Sequence, residues 1–294
     1  MNKINYFELG GSLFVPATHK NIANIISGEK YPTLKSVVID TEDGIISDDL
    51  DKALSTLKNI LLDYKKRELF VFVRPKNIKV LQKILLLEGI EKIDGFVLPK
   101  FSLLNAVEYF NTLKPYDFSL MPSIEGRELF NHNELHKLKD IILTNADKIV
   151  LVRYGLEDML KQLRIKRSCD DSIFDFSSTS SVIGNFIATF KSAGFGVSGG
   201  VYPCFENMDG FVRDVKRDLK EGLFSKTIIH PSQIDLINDI YRVTQKEFDD
   251  ALEICKRRDG VFNLHGTMAE SITMIPSAQE TIQRAEVYGI REEV

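Results

Sequence analysis

Asp40, Glu42 and Asp43 fall within four positions at the end of the apolar segment SVVI, just before Gly44. Carboxylates this close repel one another and gain nothing from burial. They form either a solvated turn that caps a helix or one wall of a cation-dependent site. Two further carboxylates follow apolar segments: Glu125 after SLMPSI, and Asp158 in VRYGLEDM. A hard divalent cation such as magnesium takes one or two protein carboxylates, keeps several waters and completes its shell with substrate oxygens. Glu125 and Asp158 are therefore the candidate metal ligands. Each could instead cap a helix, a reading with particular weight for Asp158. Arg74 closes the apolar run LFVFVR. A guanidinium there needs an anion, supplied either by a neighbouring acid or by a substrate carboxylate. His230, before Pro231, suits a sharp turn at least as well as catalysis. The histidines form no HExxH pattern and the chain has no GxSxG elbow, so a histidine-rich zinc site and a serine hydrolase are both disfavoured.

Short β-rich runs alternate with longer helical patterns and must position these groups. The runs cover residues 12–16, 36–40, 69–74, 94–100, 118–125, 148–155, 195–202 and 225–231. Their near-continuous Val, Ile, Leu and Phe content is that of parallel strands buried on both faces. Between them, stretches such as 50–66 place Leu50, Leu54, Leu57 and Leu61 on one helical stripe. Eight strand–helix units predict a (β/α)8 barrel, whose chemistry lies at the carboxyl ends of its strands. An open doubly wound sheet is the runner-up, but no GxGxxG follows the first strand. Charged or polar side chains coincide with nearly every predicted strand end: His19 and Lys20, Asp40 to Asp43, Arg74, Lys100, Glu125, Arg153 with Glu157 and Asp158, Tyr202, and His230. One ionic site on a single rim is expected. Lys100 and Tyr202 are read as substrate-binding residues. Residues 1–231 form the expected barrel, and 232–294 a helical C-terminal extension.

Composition narrows the function classes. A chain of 294 residues with 44% hydrophobic and 27% charged residues is ordinary globular material. No apolar run approaches a membrane span, and a net charge of −4 disfavours nucleic acid as the main partner. Cys169, Cys204 and Cys255 are widely spaced and odd in number, which argues against a disulfide frame or zinc site and for a reducing, cytoplasmic location.

The segments SLFVPATHKN, VVIDTEDGI, VFVRP, GFVLPK, SIEG, VRYGLEDM, KTIIHPSQ and FNLHGTMAES together resemble the citrate lyase beta-subunit-like family of the HpcH/HpaI aldolase and malyl-CoA lyase superfamily, from about residue 12 to 289. That resemblance implies a TIM barrel of the phosphoenolpyruvate/pyruvate type, magnesium dependence and reversible carbon–carbon bond cleavage. It also implies a homotrimer or higher homo-oligomer, with the C-terminal extension packing on a neighbouring subunit. Within it, Glu125 and Asp158 match the metal ligands, Arg74 the substrate-carboxylate arginine, and Glu42 and Asp43 an acidic pair. The Glu-Asp ending of that pair resembles the lyase branch, where the aldolase branch carries Glu-His. Thr41 stands in place of a leucine. Glu270 stands in place of an aspartate that family members present to a neighbouring subunit's site. The implied substrate is a small carboxylate, as a hydroxy acid or its coenzyme A thioester. Arg74, Glu42, Asp43 and Glu270 are the expected catalytic residues. Thioester hydrolysis on the same metal site, or metabolite binding without catalysis, are the alternatives.

Overall fold

Eight strands pair in parallel and in chain order: β1 (Gly11–Pro16), β2 (Ser36–Asp40), β3 (Phe70–Arg74), β4 (Gly95–Leu98), β5 (Ser119–Ile124), β6 (Leu151–Tyr154), β7 (Gly196–Val197) and β8 (Lys226–Ile228). β1 pairs with both β2 and β8. A parallel bridge between Gly199 and Lys226 joins the two ends of the sheet, so the sheet closes on itself as a (β/α)8 barrel. The structure is a computed structural model that describes residues 4–258 and 260–291. Every expected strand is present. β7 is much shorter than its sequence run, with sheet pairing continuing beyond Val197 only through Ser198, which donates to the Val152 carbonyl, and the Gly199 bridge.

The helices between strands are α1 (Ile22–Ile26), α2 (Leu50–Asp63), α3 (Ile78–Ile84), α4 (Ala106–Leu113), α5 (His132–Leu143), α6 (Leu156–Leu163), α7 (Ser177–Lys191) and α8 (Met208–Lys220). On α2, Ala53, Leu57 and Leu61 are buried, while Leu62 off that stripe is exposed. α8 departs from a simple apolar stripe, since Asp214 and Asp218 lie on its buried side. They meet the fully buried Lys226 of β8 at 2.6 and 2.5 Å. Burial opposes the lysine's charge, but the two carboxylates outweigh it and raise its pKa.

Inside the barrel, strand alternation separates two layers. Val38, Phe72, Val97, Met121 and Leu151 pack with Leu9 in one apolar cluster. Two residues further along the same strands stand Asp40, Arg74, Ser123 and Arg153. Register reinforces this level: Pro16 pairs with Asp40, Asp40 with Arg74, and Ser123 with Arg153. The barrel is therefore apolar beneath and ionic at the carboxyl ends of its strands.

The chain divides into two compact units, Met1–Asp235 and Leu236–Val294. α9 (Gln233–Ile240) runs across that boundary. Within the second unit, α10 (Gln245–Lys256) packs against α11 (Ser271–Tyr288) through Ala251, Ile254 and Ala278. Besides the expected helices, this unit holds a parallel pair, β9 (Val243–Thr244) with β12 (Ile290–Arg291), and a hairpin of β10 (Val261–Leu264) and β11 (Thr267–Glu270). No helix among the described residues is long and apolar enough to cross a membrane.

The expectation against a disulfide is corrected: Cys169 and Cys204 are bonded, with Cα atoms 5.7 Å apart. The two lie 35 residues apart, in the loops after α6 and β7, so only the fold brings them together. The cysteine-based argument for a reducing compartment goes with it. Cys255 carries a free thiol.

Candidate active site

A cavity of about 590 Å³ opens at the carboxyl ends of the strands. Phe14, Asp40, Arg74, Ser123, Glu125 and Arg153 line it from the strands and the turns that follow, with Asp43, Glu157, Asp158 and Thr227 around them.

Arg74 is fixed by acids of the neighbouring strand. Its Nε and Nη2 donate to Asp40 Oδ1 and Oδ2 at 2.7 and 2.6 Å, a bidentate fork. Asp40 also accepts the backbone N–H groups of Glu42 (3.0 Å) and Gly44 (2.7 Å), which shapes the acidic turn around it. A Cβ on residue 44 would come within 2.4 Å of Asp40 Oδ2, so the turn needs glycine there. Glu42 lies between Arg74 Nη1, 3.1 Å away, and the ammonium of Lys100. The approach to Arg74 is ionic rather than a hydrogen bond, and Glu42 Oε2 has no hydrogen-bond partner. Burial raises the Glu42 pKa, opposed by the charge of Arg74.

The acidic stretch thus splits into three environments. Asp40 is buried and saturated with donors, Glu42 is buried between two cations, and Asp43 is exposed at the rim, 3.3 Å from Lys100. Sequence reasoning grouped Asp40 with Glu42 and Asp43 as possible partners of Arg74 but gave catalytic roles only to Glu42 and Asp43. The signal was available, because Asp40 lies on the same inward face as Val38. Lys100 is engaged with Glu42 and Asp43 and is absent from the cavity lining. Tyr202 is also elsewhere: its hydroxyl donates to the Cys169 carbonyl at 2.6 Å, and it lines a separate cleft of about 540 Å³. Tyr202, expected to bind substrate, therefore stands outside the lining of this cavity. His230 serves the turn, with Nδ1 2.8 Å from Ser232 Oγ and its ring stacked on Phe205.

Glu125 and Asp158 do share the cavity. Glu125 is 6% exposed, and its Oε2 has no hydrogen-bond partner. Burial, reinforced by the nearby charge of Glu42, pushes its pKa up to about 7. Asp158 lies half-buried in the first turn of α6. Gln162, one turn further on, donates from Nε2 to the backbone carbonyls of Glu125 (2.7 Å) and Asp158 (3.0 Å). It therefore ties together the two segments that carry the acids, a role with no signal in the sequence. Hard oxygen donors, one of them buried without a partner, fit a magnesium ion with an otherwise water- and ligand-filled shell. Among the described residues no group of three or more metal-ligating side chains converges, so the site is no self-sufficient metal cage.

Gly155 makes room for this arrangement. A Cβ at that position would lie 2.3 Å from Glu125 Cγ. Gly155→Ala is expected to displace the Glu125 side chain and weaken magnesium binding about 10-fold or more. Calorimetric titration of magnesium chloride against both proteins checks this, and unchanged affinity would show that Glu125 is not a ligand in its observed position.

Glu270 belongs to the second unit. It closes β11, is half-buried, and accepts a hydrogen bond from the Thr273 hydroxyl at 3.0 Å.

A closed parallel barrel with an ionic pocket at the carboxyl ends of its strands is the arrangement of a TIM-barrel protein that carries its chemistry on that rim. The chain belongs to the C-C bond lyase family of the TIM-barrel fold, whose family model matches residues 3–290. Among its relatives is the citrate lyase subunit beta of Escherichia coli K12, 30% identical over 155 residues. That match covers 50% of this chain and 49% of the relative, so it spans about half of the relative's length. A (3S)-malyl-CoA thioesterase of Cereibacter sphaeroides is 23% identical, with 86% of this chain and 87% of that one aligned. In fold, the chain is similar to the CitE protein of Mycobacterium tuberculosis in complex with magnesium, acetoacetate and coenzyme A. The TM-score is 0.68 at 20% identity, covering 94% of this chain and 98% of that one. The resemblance to citrate lyase beta-subunit-like proteins is thereby borne out.

Proposed function

We propose that the protein is a magnesium-dependent lyase that reversibly cleaves a carbon–carbon bond in a hydroxy acid or its coenzyme A thioester. The observation that carries this reading is Glu125, a buried carboxylate with an unpartnered oxygen, in one cavity with Asp158. These two residues would hold the ion. When bound, magnesium supplies Lewis-acid polarisation of the oxygen that becomes the 2-oxo group. Arg74, locked by Asp40 and Glu42, presents its remaining N–H donors to a substrate carboxylate without further ordering cost. Asp43, on the rim, completes the acidic wall. In the cleavage direction the hydroxyl loses its proton and becomes a carbonyl. The bond between the hydroxyl-bearing carbon and the adjacent α-carbon breaks, and the departing enolate takes up a proton. Glu270, offered by a neighbouring subunit of a homo-oligomer, is the proposed proton carrier.

Hydrolysis of a thioester is the second reading, favoured by the malyl-CoA thioesterase relative. The test incubates the full chain and magnesium with a panel of hydroxy acids and their coenzyme A thioesters. Release of a 2-oxo acid, abolished by EDTA, is the expected result. Free coenzyme A without carbon–carbon cleavage would replace the lyase with the hydrolase. No turnover of any compound would leave a metabolite-binding protein.

A further inference from the structure

Three cations of the barrel unit with little-exposed side chains meet carboxylates. Lys226 meets Asp214 and Asp218; Arg167 meets Asp214 at 2.6 Å; Arg74 meets Asp40 and Glu42. Arg153 is only 4% exposed, yet no carboxylate among the described residues lies within ion-pair distance of it. Its Nη2 donates to the Thr227 hydroxyl, and its Nη1 reaches the thioether of Met121 at 3.6 Å, a weak acceptor. Five N–H donors are thus served by one good acceptor and one poor one. The guanidinium lies over the Phe14 ring at 5.2 Å, and Arg74 lies over the same ring at 5.1 Å. Burial and the charge of Arg74 pull the Arg153 pKa down to about 9.

An unpaired buried charge is costly and is not kept for packing. Arg153 lines the cavity that holds Glu125, Asp158 and Arg74, one layer above the apolar floor of Leu151 and Met121. The anion it lacks must therefore come from within that cavity. The planar fork of arginine matches a carboxylate in two parallel hydrogen bonds. Arg74 spends much of its fork on Asp40, so a ligand with one carboxylate near the metal acids and Arg74 would still leave Arg153 unserved.

We infer that Arg153 is a specificity-determining residue that holds a second carboxylate of the substrate, so that the site prefers small dicarboxylates to monocarboxylates. This rests on the proposed function, whose metal-proximal carboxylate is the first of the two. The Thr227 hydroxyl, already bonded to Arg153, holds the guanidinium in place from β8.

The test titrates malate and lactate, 2-hydroxy acids that differ by the distal carboxylate, into the full chain with magnesium present, using calorimetry. The native protein is expected to bind malate at least about 10-fold more tightly than lactate, the difference that one buried charge-assisted pair provides. Arg153→Met should bring malate affinity down to that of lactate and leave lactate unchanged. Arg153→Lys should retain part of the preference. Without ligand, the Arg153→Met protein should melt no lower than the native protein, because an unpaired charge has been removed. Equal malate binding by the native and Arg153→Met proteins would overturn the inference while leaving the metal site standing. So would a lowered melting temperature with both ligands weakened alike, the mark of a structural arginine. Failure of the native protein to bind either acid with magnesium would overturn the underlying reading and this inference with it.

Discussion

Glu125→Gln is expected to weaken magnesium binding severely and to make the metal-free protein more stable at pH 8. The two effects have opposite signs and one cause. Gln keeps the shape but loses the charge that a metal requires, so magnesium affinity should fall about 100-fold or more in calorimetry. In the folded chain the Glu125 carboxyl has its pKa raised to about 7 from an ordinary 4.5. Between these two pH values the folded state keeps a proton that the unfolded state has released, so stability falls as pH rises through that window. Above pH 7 the full penalty applies. Gln removes it, for a gain of about 3 kcal/mol. Urea unfolding of both proteins in EDTA measures this. The gap between them should be present at pH 8 and close toward pH 4.5. Magnesium should narrow the gap at pH 8 by stabilising only the native protein. A Gln variant that binds magnesium normally would remove Glu125 from the metal site.

Asp40→Ala is expected to lower stability by about 3–5 kcal/mol, because it leaves Arg74 beside a cavity without its bidentate partner. It also removes the acceptor for the Glu42 and Gly44 N–H groups, so the acidic turn loses its shape. The loss should appear in urea unfolding at neutral pH. A double-mutant cycle with Arg74→Met separates the two contributions. If the ion pair dominates, Asp40→Ala in the Arg74→Met background should cost far less than it does alone. Were the pair worth little, the two substitutions would simply add, and Arg74 would be positioned by something other than Asp40.

These expectations differ in how far the chain alone announces them. Glu125 and Asp158 stand directly after apolar strand runs, so their arrival on one rim follows from counting eight strand–helix units. The barrel was legible for the same reason: parallel strands buried on both faces must be almost wholly apolar, and their helices must carry a single stripe. Arg153 was visible as a strand end without a role. Its alternation with Leu151 directs it inward, but the absence of a partner is a property of the assembled interior.

The sequence by itself determined the strand and helix order, the carboxyl-end location of the acids and the family resemblance, because period, burial pattern and motif order are local or linear properties. Only the tertiary structure decided which acids neutralise which cations. Asp40 takes the fork of Arg74, Glu42 bridges Arg74 and Lys100, and Glu125 and Arg153 keep unmet bonding capacity. It also moved Tyr202 out of the pocket and joined Cys169 to Cys204 across 35 residues. Pairing of charges and thiols depends on distances of a few ångströms between distant segments. Barrel closure sets those distances, and no spacing along the chain records them.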